Sequence, residues 1–254
     1  MTLGRVVGGL LVLSTVVVEV ADGQTDVRRF ELTASDGVTV YATEHCLDQE
    51  AGTYLLLFHQ GGASGEAEYG PIIPRLCGLG YRPVTIDQRA GGELFGGVNR
   101  TATALGAEAG YCDALPDLEA ALDYAAGQAP GRPAIVWGSS YSAALVFYLA
   151  RDRPDDIAGV LAFSPASGEP MAGCIPEEVA GELTVPVLAL RPGTEAERES
   201  VAAQIVALEA LGVETYTSNA GSHGSSMLVE ERVEAPVEDT WAVVLNFLAR
   251  LESS

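Results

Sequence analysis

The chain has 254 residues, 48% of them hydrophobic and 19% charged, so it is long enough to bury one large core. The formal net charge is −21, and all 14 residues counted as lysine or arginine are arginines. Such an acidic surface repels phosphate backbones and anionic lipid headgroups, which argues against a nucleic-acid-binding protein or a membrane-surface protein.

The first 23 residues have the pattern of a secretory signal peptide. Arg5 supplies a positive charge, Val6 to Val18 form an apolar run, and Ala21-Asp22-Gly23 has the small-x-small form of a cleavage site. The run is shorter than the roughly 20 residues that span a bilayer. No cysteine follows it to carry a lipid anchor. The sequence therefore predicts an exported protein, periplasmic or extracellular, with one domain over residues 24–254 and no stable membrane anchor.

The rest of the chain alternates strands of buried type with helices. Predicted strands cover 27–32, 38–43, 54–58, 83–87, 133–137, 158–163, 185–190 and 213–218. Predicted helices cover about 70–80, the stretch capped by Asp113, the stretch after Ser140, 196–211 and 240–251, whereas 88–111 is predicted to be a long loop. This alternation indicates an eight-stranded, mostly parallel sheet with helices on both faces, preceded by an antiparallel hairpin.

One stretch combines a strand, a tight turn and a helix. Gly138-Ser139-Ser140-Tyr141-Ser142 joins an apolar run to residues with helical spacing, which is typical of a nucleophile elbow. The residues two before and two after the nucleophile must be small, and Gly138 and Ser142 satisfy this for Ser140. Ser142 is an alternative nucleophile, since Ser140 and Ala144 flank it. The purely structural alternative is a serine that only caps a helix.

A serine nucleophile needs a base and backbone donors for the oxyanion. There are three histidines. His45 is predicted at the opposite end of the sheet from the elbow, His59 ends the third strand, and His223 follows the last strand on the elbow side. His223 is therefore the predicted base. The spacing of the three does not suit a ligand pair, so neither a metal nor another cofactor is predicted.

The acid that orients the base is expected just beyond the strand that ends at Leu190, between serine and histidine in chain order. Glu195 and Glu197 are the candidates. Counting along the chain from Pro186 favours Glu195. Both glutamates also suit a plain helix start, where negative charge is stabilised by the helix dipole.

Together these motifs resemble the α/β-hydrolases of dienelactone-hydrolase-like or esterase-like type. They are His59-Gln60-Gly61-Gly62, Asp87-Gln88-Arg89-Ala90-Gly91-Gly92, Gly138 to Ser142, Glu195 and His223-Gly224. The resemblance implies the α/β-hydrolase fold, Ser140 as nucleophile, His223 as base and Glu195 as acid. It also implies an oxyanion hole from the backbone N–H of Tyr141 and that of Gln60 or Gly61.

Three features depart from that family pattern. Ser142 replaces the second elbow glycine, the acid is glutamate instead of the more frequent aspartate, and the nucleophile is serine where dienelactone hydrolases use cysteine. The last difference favours carboxylic esters over dienelactones. The sequence therefore predicts a serine hydrolase that cleaves a small-molecule ester through an acyl-enzyme intermediate. A non-catalytic binding module of this fold and an acyltransferase are the alternatives.

Phe95, Tyr111 and Met171 lie in the two long connections over the predicted site, and we expect them to line an acyl pocket. The four cysteines allow three pairings. In a sheet of this topology, Cys46 and Cys77 come together at the end away from the site. Cys112 and Cys174 lie in loops that leave from the active-site end. The predicted disulfides are therefore Cys46–Cys77 and Cys112–Cys174, because bridged Cα atoms must lie within about 7 Å of each other.

Overall fold

A computed structural model describes residues 27–49, 52–219, 221–233 and 235–253, and the predicted signal segment lies outside these ranges. Its centre is one eight-stranded sheet in the order β1-β2-β4-β3-β5-β6-β7-β8. The strands are β1 (Val27–Thr33), β2 (Thr39–His45), β3 (Tyr54–Phe58), β4 (Arg82–Asp87), β5 (Ala134–Ser139), β6 (Ile157–Phe163), β7 (Val187–Pro192) and β8 (Glu214–Ser218).

The sheet is mostly parallel, with an antiparallel hairpin at one edge. β2 pairs antiparallel with both β1 and β4, and all the other neighbouring strands pair parallel. The carboxyl ends of β3 to β8 therefore meet at one edge of the sheet, where ligands bind in open α/β sheets. The architecture is that of an α/β-hydrolase, which confirms the predicted fold class.

Helices cover both faces of the sheet. They are α1 (Gly65–Tyr69), α2 (Ile73–Gly78), α3 (Arg100–Leu105), α4 (Leu115–Gln128), α5 (Tyr141–Asp152), α6 (Gly193–Ala196), α7 (Glu199–Ala210) and α8 (Glu238–Glu252). The strands supply alternate residues to two apolar clusters: Ala134 and Val136 of β5 pack with α4 and α5, and Ile135 and Trp137 pack with α2 and α8. This two-sided burial explains the continuous apolar runs of the central strands.

The segment predicted as a long loop, 88–111, contains helix α3 and a 3-10 turn at Leu94–Gly96, and the prediction is wrong there. The Asn99 side chain caps α3 by accepting the Ala102 N–H at 2.7 Å, and a tertiary contact holds the helix against β2, since Thr101 Oγ1 accepts the Tyr41 N–H at 2.9 Å. Asp113 does not cap α4; its carboxylate accepts the Gly110 N–H at 3.0 Å instead. Only the contact between Thr101 and Tyr41 is long-range, whereas the Asn99 cap is a local signal that sequence reasoning missed.

Two disulfides join the four cysteines in the predicted pairing. Cys46–Cys77 has a Cα–Cα distance of 5.9 Å and lies at the end of the sheet where β4 begins. Cys112–Cys174 has a Cα–Cα distance of 5.8 Å and ties the connection after β4 to the connection after β6. Within the described ranges, no helix is long and apolar enough to cross a membrane.

Candidate active site

Ser140 occupies a sharp turn between β5 and α5. Its backbone has φ 61° and ψ −117°, a left-handed conformation that is strained for a residue other than glycine, and its side chain is half-buried. A Cβ at Gly138 would overlap the Ser142 carbonyl group, so the position two before Ser140 must be glycine. The turn is fixed further by the Ser140 N–H, which donates to the Phe163 carbonyl at 2.8 Å. The strand, turn and helix therefore hold a serine hydroxyl at the carboxyl edge of the sheet.

Ser142 has a different environment from Ser140. It is fully buried, and its hydroxyl donates to the His59 carbonyl at 2.6 Å while accepting a hydrogen bond from Gln88 Nε2 at 2.6 Å. Both hydrogen-bonding roles of the hydroxyl are therefore occupied. The serine that replaces the usual second glycine connects the elbow helix to the ends of β3 and β4.

His223 and Glu195 form a pair beyond the carboxyl ends of β7 and β8. Nδ1 of His223 hydrogen-bonds Oε1 of Glu195, and the other oxygen of Glu195 accepts from Arg191 at 3.1 Å. Burial by itself raises the pKa of Glu195, but the hydrogen bond to His223 and the positive charge of Arg191 outweigh it, and the pKa lies below its ordinary value. Glu195 is thus held as a carboxylate that fixes the imidazole ring.

The two candidate acids lie at the end of the short helix α6 and have different environments. Glu195 is 8% exposed and faces His223 and Arg191, whereas Glu197, two residues on, is exposed at the end of the helix. Two residues turn a helix by about 200°, so the two side chains point away from each other. Of the two, only Glu195 contacts His223.

The loop that carries His223 packs directly on the elbow. Ser225 N–H donates to Ser139 Oγ at 3.0 Å, and Gly224 N–H donates to Ser164 Oγ at 3.1 Å. Gly224 has φ 62°, and a Cβ there would overlap Ser139 Oγ. The loop segment directly after His223 therefore contacts Ser139, the residue before Ser140.

The other two histidines are structural. His45 is buried beside Thr85, and burial lowers its pKa to about 4. The His59 ring is fully buried: its Nδ1 donates to the Gln60 carbonyl at 2.8 Å, and its Nε2 accepts the Gln88 N–H at 3.0 Å. Burial also lowers the pKa of His59, so both rings are neutral at pH 7. Neither ring is free to accept a proton from Ser140.

The predicted oxyanion donors are not equivalent. Tyr141 is the first residue of α5, where a backbone N–H has no partner within the helix. The Gln60 N–H instead donates to Glu68 Oε2 at 2.6 Å, so it is already occupied. Gly61 is half-buried at the same edge and, among the described residues, no acceptor pairs with its N–H. This geometry leaves Gly61 and Tyr141 as the candidate donors.

Glu68 is a buried carboxyl group directly behind the site. Its Oε1 is buried with no hydrogen-bond partner in the described part of the chain. Burial raises the pKa of Glu68 to about 7, against the Gln60 hydrogen bond and the positive charge of Arg232. Arg232 itself donates to the carbonyl groups of Glu68 and Ala67 at 2.8 and 2.7 Å, which anchors α1 against the loop after His223.

We expect the charge of Glu68 to destabilise the fold at alkaline pH. Its folded pKa of about 7 exceeds the ordinary 4.5. The protonated carboxyl group therefore makes its full contribution to the free energy of unfolding below pH 4.5, and this contribution is lost as the pH rises through 7. Between pH 5 and 8 the loss is about 2 to 3 kcal/mol, or roughly 5 to 10 °C in Tm. Glu68→Gln keeps an acceptor for the Gln60 N–H but does not titrate.

Thermal unfolding of the wild type and Glu68→Gln at pH 5 and pH 8 measures this difference. The Tm of Glu68→Gln minus that of the wild type is expected to rise by several degrees from pH 5 to pH 8. Both proteins share the opposing contribution of His45, which therefore cancels. A difference in Tm that is the same at both pH values would refute the assignment.

The three predicted pocket residues lie in different surroundings. Tyr111 is 36% exposed, lines an open cleft of about 700 Å³ and stacks on Tyr141 with ring centroids 4.7 Å apart. Phe95 lines a separate cleft of about 400 Å³ and lies under the Arg232 guanidinium. Met171 is fully buried in the apolar cluster. Tyr111 is thus the one of the three that contacts a predicted donor of the oxyanion hole.

Sequence reasoning missed Arg191 and Glu68. Arg191 could have been found as a charged residue in an apolar run, because β7 extends two residues beyond the predicted strand and pairs Arg191 with Thr217 of β8. Glu68 had no such signal, since its role depends on α1 folding back under Gln60. In the described ranges, no group of three or more His, Cys, Asp or Glu residues could hold a metal ion.

Comparison with known proteins agrees with this fold. Residues 50–226 match the family model described as serine aminopeptidase, S33, and the chain therefore belongs to this family of α/β-hydrolases. No curated protein sequence matches the chain significantly.

Solved structures share the fold at low sequence identity. An esterase from Pyrococcus furiosus superimposes with a TM-score of 0.65 at 18% identity, covering 92% of this chain and 96% of that chain. Est1E from Butyrivibrio proteoclasticus gives 0.61 at 14% identity, with 89% and 99% covered. The acylaminoacyl peptidase from Pyrococcus horikoshii gives 0.57 at 15% identity, with 80% and 38% covered.

The Cys112–Cys174 disulfide is expected to affect substrate selection, because Cys112 follows Tyr111 directly. The two bridges close loops of 62 and 31 residues, so removing either lowers the free energy of unfolding by a similar amount, about 4 kcal/mol. Replacing both cysteines of Cys112–Cys174 by alanine should change the relative kcat/KM values for hydrolase substrates of different acyl length by about tenfold. The matched replacement at Cys46–Cys77, at the far end of the sheet, should lower Tm and leave that ranking intact. Equal rankings in both double variants would contradict the placement.

Proposed function

We propose that the chain is an exported serine hydrolase that cleaves carboxylic esters through an acyl-enzyme intermediate. The observation that carries the proposal is the His223–Glu195 pair, held at the same strand ends as the strained, accessible Ser140. A positioned carboxylate, an imidazole and a serine hydroxyl are the parts that nucleophilic acyl transfer requires. Membership of a serine hydrolase family supports this combination.

In the proposed reaction, His223 removes the proton from Ser140 as Oγ attacks the carbonyl carbon. The negative charge moves to the carbonyl oxygen, where the backbone N–H groups of Gly61 and Tyr141 stabilise it. Glu195 keeps the imidazole in the correct tautomer and stabilises the imidazolium. His223 then protonates the leaving alcohol. Water, deprotonated by the same ring, hydrolyses the acyl-enzyme.

Export is the second part of the proposal. The N-terminal signal pattern motivates it, and two disulfides are compatible with an oxidising compartment. Expression with and without residues 1–23, followed by fractionation, tests it. Retention of the full chain in the cytoplasm with four alkylatable cysteines would refute export.

The activity is tested by labelling with a serine-reactive fluorophosphonate, followed by a panel of nitrophenyl esters of increasing acyl length. Aminoacyl nitroanilides are the matched amide panel, because the family takes its name from an aminopeptidase. We expect labelling and faster turnover of the esters. Turnover of nitroanilides alone would replace the ester substrate by an amide, and inertness towards the label and both panels would overturn the proposed catalysis.

A further inference from the structure

The Tyr111 side chain lies against the two residues that offer the candidate oxyanion donors. A Cβ at Gly61 would lie 2.7 Å from the Tyr111 hydroxyl oxygen, so this oxygen closely approaches the residue that offers one backbone donor. The Tyr111 ring stacks on Tyr141, which offers the other donor, at 4.7 Å between centroids and 13° between planes. One side chain therefore contacts both residues.

The hydroxyl group of Tyr111 is free to donate. In the described part of the chain no group hydrogen-bonds it, and the residue is 36% exposed at the wall of the 700 Å³ cleft. Packing on Tyr141 needs only the aromatic ring, so phenylalanine would serve it equally well. The phenol O–H adds a hydrogen-bond donor and acceptor that packing does not use. The ring explains the stacking, but it does not explain the position of the oxygen.

The backbone of Tyr111 is fixed from both sides. Its carbonyl accepts the Ala114 N–H at 3.2 Å in a 3-10 turn, and the next residue, Cys112, is bonded to Cys174. Asp113 closes the preceding loop through the Gly110 N–H. A donor that is held in place before the reaction stabilises developing charge without reorganisation, which is the requirement for an oxyanion hole.

Because the Gln60 N–H is occupied, it is not available as a third backbone donor to an oxyanion. Glu68 accepts that N–H at 2.6 Å, which leaves only two candidate backbone donors for an alkoxide that can accept three hydrogen bonds. On the basis of the proposed ester hydrolysis, we propose that the Tyr111 hydroxyl donates a third hydrogen bond to the tetrahedral oxyanion, beside the N–H groups of Gly61 and Tyr141. Tyr111 is then a catalytic residue, since it touches the reacting oxygen.

The test is Tyr111→Phe, which removes the oxygen and keeps the stacked ring. We expect kcat for a nitrophenyl ester to fall about 10- to 100-fold, with KM changed less than about threefold, because the bond forms mainly in the transition state. Tm should stay within about 2 °C of the wild type, since the hydroxyl has no partner in the resting protein. Tyr216→Phe on β8, half-buried and distant from these contacts, is the matched control and should leave kcat unchanged.

A transition-state analogue separates this role from packing. An aryl trifluoromethyl ketone forms a tetrahedral adduct with the serine, and its affinity for Tyr111→Phe should fall by the same factor as kcat/KM. Wild-type kcat and analogue affinity in Tyr111→Phe, together with a loss in Tyr111→Ala, would overturn the proposal and assign the ring a packing role. A wild type that turns over none of the esters would instead overturn the proposed function itself.

Discussion

Replacing Ser140 by alanine is expected to lower kcat on nitrophenyl esters by about 10⁴- to 10⁶-fold and to abolish fluorophosphonate labelling. Loss of the nucleophile removes the covalent pathway, and the residues of a triad act as one unit, so little of the rate enhancement survives. Ser140 makes no side-chain hydrogen bond that caps α5, so the variant should keep the Tm of the wild type.

Ser142→Ala is the matched control for this experiment. It removes a hydroxyl that pairs with the His59 carbonyl and with Gln88, which leaves buried polar groups unsatisfied and lowers stability by about 1 to 3 kcal/mol. The folded fraction should still react with the label. A labelled Ser140→Ala and an unlabelled, folded Ser142→Ala would make Ser142 the nucleophile.

Glu195→Gln is expected to lower kcat by about 10³- to 10⁴-fold, while Glu197→Gln stays within about twofold of the wild type. The carboxylate of Glu195 accepts from the His223 ring, and an amide in its place presents N–H groups that favour the wrong tautomer. The substitution also leaves Arg191 without its ionic partner. Glu197 is exposed and contacts neither group.

Steady-state kinetics of the two variants on one ester, with Tm as the folding control, measures this contrast. The structural change is the same at both positions, so a difference reports the environment of each glutamate. Small and equal effects on kcat would show that the carboxylate that serves His223 is elsewhere, and the proposed acid would then be rejected.

Much of the site depends on patterns that a sequence displays directly. The elbow is visible because its turn requires small residues at fixed offsets from Ser140, and a Cβ at Gly138 would overlap the following helix. Chain order separates His223 from His45 because alternating strands and helices already define the two ends of a parallel sheet. The same reasoning paired Cys46 with Cys77 and Cys112 with Cys174.

The alternatives that the sequence left open concern single atoms. Gln60 and Gly61 are adjacent, and only the carboxyl group of Glu68, eight residues away, distinguishes them by occupying the Gln60 N–H. Ser142 and Ser140 are two residues apart, and the difference lies in the partners of the Ser142 hydroxyl, which directly follow β3 and β4. Such partners come from other elements, so no local pattern contains them.

The sequence by itself determined the α/β architecture, the strand, turn and helix around Ser140, and the chain order of the catalytic candidates, because periodicity, small-residue turns and connection rules are local or topological. The tertiary structure alone decided that α3 docks on β2, that Glu195 faces His223, and that the Tyr111 hydroxyl closely approaches Gly61. Each of these depends on distances between residues that are far apart in the chain, and those distances are fixed only when the sheet, its helices and the Cys112–Cys174 bridge pack together.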